Sequence, residues 1–177
     1  MMEFKIQNVV AKIDLKKQID LVLYASRLPT AKYRPTVFPG MFLKIPGLKP
    51  TLLVFSSGKV VCVGATSVEE VEAVARKVKE LFNADSIEVR ITNIVAYAYY
   101  KGGIPFDEVV NNFDNVIYEP ETFPAITYRD ASSGATFLLF NNGKIICTGL
   151  KAVEDVSKAI KTLEEKLDSV VKTAKTY

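Results

Sequence analysis

The sequence predicts an α/β protein built from two copies of one unit, each with the element order β-α-β-β-β-β-α. Adding 85 to the numbers of residues 33–66 lays that stretch on residues 118–151 without a gap. Eleven residues of the first copy are identical in the second: Tyr33, Pro35, Phe38, Pro39, Thr51, Leu53, Phe55, Gly58, Lys59, Cys62 and Gly64. A long repeat without gaps indicates a duplicated structural unit. We therefore expect a pseudo-twofold axis that relates residues 1–88 to residues 89–177.

The first half begins with a β-rich segment at residues 4–15. Its two-residue alternation places Ile6, Asn8, Val10 and Lys12 on one face. A short helix is expected at residues 19–28, because Pro29 ends it. Three strands follow at residues 41–45, 51–55 and 59–64, and residues 32–36 are expected to add a short edge strand, where Pro35 is tolerated.

Residues 67–81 carry the clearest helix pattern. Ser67 is a suitable N-cap, and Glu70 lies three residues after it. One apolar stripe is formed by Val68, Val71, Val74, Ala75, Val78 and Leu81.

After a link at residues 82–88, the second half repeats the pattern. We expect a strand at residues 89–99, a helix at 105–113, strands at 126–128, 136–140 and 144–149, and a long helix at 153–171. Two sets of five strands related by a twofold axis join edge to edge into one ten-stranded antiparallel sheet. The four helices then cover a single face of that sheet, because their apolar stripes are one-sided.

Composition argues against several classes of function. Histidine is absent, and no phosphate-binding glycine motif is present. We therefore expect no enzyme, no metal and no cofactor. No apolar run approaches the ~20 residues that cross a bilayer. Cys62 and Cys147 occupy equivalent positions, and we interpret them as buried hydrophobes in an intracellular protein.

The face without helices is not polar. In one strand, Val61 and Val63 point to one side while Val60 and Cys62 point to the other, and the equivalent strand behaves in the same way. Turn geometry also brings Phe38 beside Phe55 and Phe123 beside Phe140 near one end of each half. One interpretation is that these rings belong to the core. An exposed apolar patch bordered by lysines is more typical of a binding surface.

Four segments resemble the TATA-box-binding protein family over essentially the whole chain. They are IQNVVAKIDL, the YxPxxFPG segment, LLVFSSGK followed by VCVGA, and YEPETFP followed by LLFNNGKIICTG. The resemblance implies a saddle whose curved, concave sheet binds the DNA minor groove and whose convex face carries the helices. It also implies a transcription initiation factor that bends A·T-rich promoter DNA and recruits transcription factor B and, indirectly, RNA polymerase.

The same resemblance assigns roles to individual residues. Base contacts are expected from Asn8, Val10, Leu53, Val61, Val63, Asn93, Val95, Leu138, Ile146 and Thr148. Kinking wedges are expected to be Phe38, Phe55, Phe123 and Phe140. Phosphate contacts are expected from Lys44, Ser57, Lys59, Arg129, Lys144 and Lys151. Glu119 and Glu121 match the docking positions for transcription factor B, whereas the equivalent segment at residues 32–36 is basic.

The sequence departs from the family pattern at several positions. Val63 stands where the family usually has the threonine kept here as Thr148, Thr66 replaces a lysine kept as Lys151, and Ala125 replaces a glycine. The turns at residues 130–135 and 141–142 also differ, which leaves the exact site preference open. We expect an archaeal-type or paralogous member, in the cytoplasm with the archaeal nucleoid, or in the nucleus if the host is eukaryotic.

Three further expectations concern other functions and partners. One alternative is an architectural or regulatory paralogue that bends DNA without recruiting the transcription machinery. Another is an enzyme domain of similar fold, such as part of a glycosylase or ribonuclease, against which the missing histidines argue. A weak homodimer in the absence of DNA is also expected.

Overall fold

Ten strands and four helices follow the predicted order in the computed structural model, which describes residues 1–176. The strands are β1 (Phe4–Asp14), β2 (Lys32–Tyr33), β3 (Met41–Lys44), β4 (Thr51–Val54), β5 (Lys59–Ala65), β6 (Glu88–Tyr99), β7 (Val116–Ile117), β8 (Ala125–Arg129), β9 (Thr136–Phe140) and β10 (Lys144–Leu150). The helices are α1 (Leu21–Arg27), α2 (Val68–Leu81), α3 (Phe106–Asn112) and α4 (Val153–Ala174). Both halves of the chain therefore have the predicted order β-α-β-β-β-β-α.

The strands form one sheet in the order β2-β3-β4-β5-β1-β6-β10-β9-β8-β7. Neighbouring strands run antiparallel, and equivalent hairpins share a register: Leu53 lies opposite Val61, and Leu138 lies opposite Ile146. This topology confirms the ten-stranded antiparallel sheet.

The chain divides into two compact units. The first unit is Asn8–Thr92, and the second combines Met1–Gln7 with the chain from Asn93 onward. In the first unit α2 lies against β5, and in the second unit α4 lies against β10. Each unit thus has its own core between helices and strands.

Helix α1 is shorter than the predicted span of residues 19–28. Its N-cap is Asp20, whose carboxylate accepts from the Leu23 N–H at 3.1 Å. The N–H of Ile19 instead donates to the Ser56 carbonyl, which holds Ile19 outside the helix. Helix α3 is likewise one residue shorter at each end than predicted, whereas α4 continues three residues beyond the expected end at residue 171.

The edge strand predicted at residues 32–36 extends only over Lys32 and Tyr33. Beyond it, the carbonyl of Arg34 accepts from the N–H groups of Val37 and Phe38. The backbone therefore closes a turn where continued pairing was expected, and Pro35 within that turn has no N–H to donate to a neighbouring strand.

Candidate nucleic-acid interface

Strand alternation leaves one face of the sheet half-buried in each unit. In β4 and β5, the side chains of Leu52, Val60 and Cys62 are at most 1% exposed, because they face the helices. The intervening residues point to the opposite side and are only partly covered. The predicted base-contact residues all fall in this half-buried class: Asn8, Val10, Leu53, Val61, Val63, Asn93, Val95, Leu138, Ile146 and Thr148.

In the first unit, a β-bulge orients the side chain of Asn8. The pairing of β1 with β5 shifts between Val9 and Ala11, so that β5 contains an extra residue near Gly64. Gly64 has φ +89°, a conformation that glycine adopts without steric cost. Its N–H donates to Oδ1 of Asn8 at 2.8 Å. Because the amide oxygen faces Gly64, both N–H donors of the Asn8 side chain are turned away from it.

The second unit repeats this bulge with one difference. Gly149 has φ +95°, and its N–H donates to Oδ1 of Asn93 at 2.8 Å. Here Nδ2 of Asn93 also donates to Oγ1 of Thr148 at 3.1 Å. The residue equivalent to Thr148 is Val63, which has no hydroxyl to accept. Asn8 therefore keeps an N–H donor that Asn93 uses within the protein.

The predicted phenylalanine wedges form an edge-to-face pair in each unit. The ring centroids of Phe38 and Phe55 are 5.9 Å apart, and those of Phe123 and Phe140 are 6.1 Å apart. The side chain of Phe123 is 42% exposed, and the other three are half-buried. The rings pack on each other at the surface of the sheet and do not enter the core.

A glycine and a third ring distinguish the first of these pairs. A Cβ at Gly40 would lie 2.8 Å from Phe38 Cε1 and 3.1 Å from Phe55 Cε1, so the rings occupy the space that a Cβ would need. Phe42 packs 5.5 Å from Phe38 and is 43% exposed. Sequence reasoning missed Phe42. Its signal is the alternation of β3, which places it on the same side as Lys44.

The predicted phosphate-contacting residues lie around this face, and most are exposed. Exposed side chains belong to Lys44, Ser57, Lys59, Arg129 and Lys151, and Lys144 is half-buried. In the turn before Lys59, Oγ of Ser57 accepts from the Lys59 N–H at 3.4 Å. In the equivalent turn, Oδ1 of Asn142 accepts from the Lys144 N–H at 3.0 Å. The unusual Asn141–Asn142 pair thus keeps the same turn.

Two equivalent loops have the same backbone turn and opposite charge. The carbonyl of Glu119 accepts from the N–H groups of Thr122 and Phe123, as that of Arg34 does in its own loop. The side chains of Glu119, Glu121 and Arg34 are exposed. The loops therefore differ in what they offer a partner and not in their local fold.

The turn after β8 contains a buried acid that sequence reasoning did not find. Asp130 is 4% exposed, and its carboxylate accepts from the hydroxyls of Ser132 and Ser133. Burial raises the pKa of Asp130, but the hydrogen bonds from Ser133 and Ser132 outweigh that effect, with a contribution from the charge of Lys166, so the pKa is lowered. The acid therefore stays ionised inside the protein at neutral pH.

Two other features bear on alternative functions. Burial raises the pKa of Cys62 to about 11 and that of Cys147 to about 12, which keeps both thiols protonated and unreactive. Within residues 1–176, no cluster of three or more potential metal ligands occurs, and no helix is both long and apolar enough to span a bilayer.

Comparison with known proteins places this geometry in a family. Residues 3–84 and 88–170 match the family described as transcription factor TFIID, or TATA-binding protein. The TATA-box-binding protein of Pyrobaculum calidifontis is 36% identical over 93% of this chain and 85% of its own length. That of Thermococcus sibiricus is 38% identical over 94% and 93%. The structure of the Methanococcus jannaschii protein superposes with a TM-score of 0.85 at 35% identity, covering 94% of this chain and 99% of the other.

Proposed function

This chain belongs to the family of transcription factor TFIID, or TATA-binding protein, and from that membership we propose that it is a transcription initiation factor that binds and bends A·T-rich promoter DNA through the minor groove. The observation that carries the proposal is the half-buried apolar sheet face, which recurs in both units with an oriented asparagine at its bulge.

The chemistry of this face fits the floor of an A·T minor groove. A·T pairs present only acceptors there, whereas a G·C pair adds the amino group of guanine. Val61, Val63 and Ile146 offer that amino group no acceptor, so burying it against them leaves a donor unpaired. The outward N–H donors of Asn8 and Asn93 match adenine N3 and thymine O2.

The two phenylalanine pairs supply the wedges. Proteins of this family, like other minor-groove binders, insert apolar side chains between base steps and thereby kink the duplex. Phe123 and Phe38 lie at the surface of the sheet, each backed by a second ring. We assign the kinks to these positions.

The cations around the face are assigned to phosphates. Lys44, Lys59, Arg129, Lys144 and Lys151, together with Ser57, would fix the position of the duplex without reading its sequence. Because net charge is only +3, binding depends on where these cations lie and not on the total charge.

Recruitment is assigned to the acidic loop. Glu119 and Glu121 form the docking point for transcription factor B, and RNA polymerase is reached through that factor. Their exposed carboxylates lie in a loop whose equivalent carries Lys32 and Arg34, so only one of the two loops suits a basic partner.

One substitution in the DNA tests minor-groove recognition. Replacing A·T pairs by G·C pairs should weaken binding by about 1–3 kcal/mol per pair. Replacing them by inosine·cytosine pairs should restore it, because inosine lacks the guanine amino group but presents the major-groove edge of guanine. Kd is measured for the three duplexes by fluorescence anisotropy. If the inosine duplex binds as weakly as the G·C duplex, the protein does not read the minor groove.

A further inference from the structure

Two equivalent positions at the ends of β1 and β6 carry different side chains, an acid in one unit and a phenol in the other. Asp14 lies directly opposite Lys59 in the β1–β5 ladder. The residue equivalent to Asp14 is Tyr99, which lies directly opposite Lys144 in the β6–β10 ladder. The two lysines are equivalent phosphate contacts in the proposed function, but only one of them faces an acid.

The carboxylate of Asp14 is held in place by three contacts. Its Oδ1 accepts from the backbone N–H of Lys16 at 2.9 Å. Its Oδ2 lies 3.4 Å from Nζ of Lys59 and 3.5 Å from Nζ of Lys16. The backbone hydrogen bond from Lys16, together with the charge of Lys59, lowers the pKa of Asp14. The acid is therefore ionised wherever DNA binding would be measured.

Charged side chains line the cleft at this position in the first unit, whereas its equivalent in the second unit has aromatic rings beside two charged side chains. A cleft of about 200 Å³ beside Asp14 and Lys59 is also lined by Lys12, Glu88 and Arg90. The equivalent cleft beside Tyr99 is lined by Phe4 and Tyr97 and also by Glu3 and Lys5. Tyr99 is 57% exposed, and across residues 1–176 Lys144 forms no ion pair within 4.0 Å.

We propose that Asp14 weakens the phosphate contact of Lys59, and that Tyr99 at the equivalent position makes Lys144 the stronger phosphate contact of the pair. A phosphate that approaches Lys59 must displace a carboxylate from it and is repelled by that carboxylate. A phosphate at Lys144 meets neither obstacle, and Tyr99, which is 57% exposed on the neighbouring strand, carries a hydroxyl that can donate as well. The inference rests on the proposed binding of DNA.

The consequence is that the two units hold DNA unequally. Equivalent lysines in a repeated protein would otherwise contribute alike to both halves of a bound site. Because one unit has the carboxylate of Asp14 at this position and the other has the phenol of Tyr99, the DNA-binding face itself has a polarity. That polarity does not depend on a protein partner.

The dependence of Kd on salt concentration tests this inequality. Each phosphate contact contributes about 0.9 to the slope of log affinity against log salt. Lys144→Ala should therefore lower the slope by about 0.9, and Lys59→Ala by less than about half of that. Asp14→Asn should tighten binding about threefold, the size expected of an exposed ion pair. In the Asp14→Asn background, Lys59→Ala should lower the slope by as much as Lys144→Ala lowers it in the wild-type protein.

Asp14→Asn is the matched variant because its amide oxygen still accepts from the Lys16 N–H, so the turn is kept. Tyr99→Asp is the reciprocal change and should reduce the effect of Lys144→Ala to that of Lys59→Ala. Thermal unfolding of each variant checks its fold. If Lys59→Ala and Lys144→Ala lower the salt slope equally in the wild-type background, the inference is wrong, but the proposed DNA binding still stands. Failure of the wild-type protein to bind an A·T-rich duplex overturns the proposed function, and this inference with it.

Discussion

Phe123 and Phe137 show how two phenylalanines of the same unit serve different purposes. Phe137 is fully buried between sheet and helices, whereas Phe123 is 42% exposed against Phe140. Phe123→Ala should change the free energy of unfolding little, since its ring buries only part of its surface. The same variant should lose much of the DNA bending, measured by energy transfer between the ends of a labelled duplex.

The control for that prediction is Phe137→Ala, which should cost about 3–5 kcal/mol, as for a core phenylalanine. The loss of unfolding free energy in Phe38→Ala should lie between those of Phe123→Ala and Phe137→Ala, because Phe38 packs against both Phe42 and Phe55. A large loss of stability in Phe123→Ala with bending unchanged would assign this ring to the core.

Asp130 makes stability depend on pH. Its pKa is lower in the folded protein than in the unfolded chain, so its contribution is complete above the unfolded value of about 4. That contribution is lost as pH falls through the folded pKa, because the unfolded chain takes up the proton first. Asp130→Asn should therefore cost about 1–3 kcal/mol at pH 7, where charge-assisted bonds from Ser132 and Ser133 are lost. It should cost less at pH 3.

Urea unfolding of wild type and Asp130→Asn at both pH values gives these differences, and comparing the two proteins cancels the other carboxylates. An equal loss at pH 7 and pH 3 would mean that the native site does not favour the ionised acid.

At the scale of elements, the two long helices differ in how they begin. Oγ of Ser67 accepts from the Glu70 N–H at 3.1 Å, whereas the equivalent position at the start of α4 is Ala152, which has no side-chain cap. Both positions have extended backbone conformations. Ser67→Ala should lower the free energy of unfolding by about 1 kcal/mol, and Ala152→Ser should raise it by about 0.5–1 kcal/mol.

Urea midpoints at an unchanged m-value measure both effects. Ala152→Thr is a second capping variant that should act in the same direction as Ala152→Ser. A loss of stability in both capping variants would show that the first turn of α4 has no N–H available to a side chain.

The order of the elements was predictable because the repeat doubles every signal. A strand such as residues 59–64, weak by itself, gains support from its equivalent 85 positions later. The alternation of Val60, Val61, Cys62 and Val63 also predicted two opposite faces. Because both faces are apolar, it left open which one is buried, and the structure buries Val60 and Cys62.

The residues that sequence reasoning missed depend on tertiary contacts. Phe82 falls in the predicted link, yet it is fully buried 4.7 Å from the ring of Tyr24. Asp130 lies in a turn that departs from the family pattern. Ser132 and Ser133 are close to it in sequence, but its burial depends on how the rest of the chain folds around that turn. The capping box predicted at Ser67 and Glu70 formed only in part, because Glu70 bonds to the hydroxyl of Thr66 instead of closing on Ser67.

At the scale of the whole molecule, duplication creates a problem of direction. Two similar faces and two similar wedge pairs give a partner little by which to choose between the units. The charges of the equivalent loops break that similarity. Lys32 and Arg34 are exposed in one loop, and Glu119 and Glu121 are exposed in the other, over the same backbone turn. Complementary charge selects one docking mode and repels the alternative.

The last prediction follows from this difference in charge. Reversing both acids, Glu119→Arg with Glu121→Arg, should leave DNA binding intact or slightly tighter, because the change adds cations and touches no residue of the sheet face. It should abolish the complex with transcription factor B, since two attractive charges become repulsive. The matched control, Lys32→Glu with Arg34→Glu, alters the equivalent loop by the same amount and should spare that complex. Gel-shift titration with purified factor on an A·T-rich duplex measures both. If the factor still shifts the DNA complex of the double glutamate variant, docking does not depend on this loop; if it fails to shift the wild-type complex, the protein bends DNA without recruiting the factor, as an architectural paralogue would.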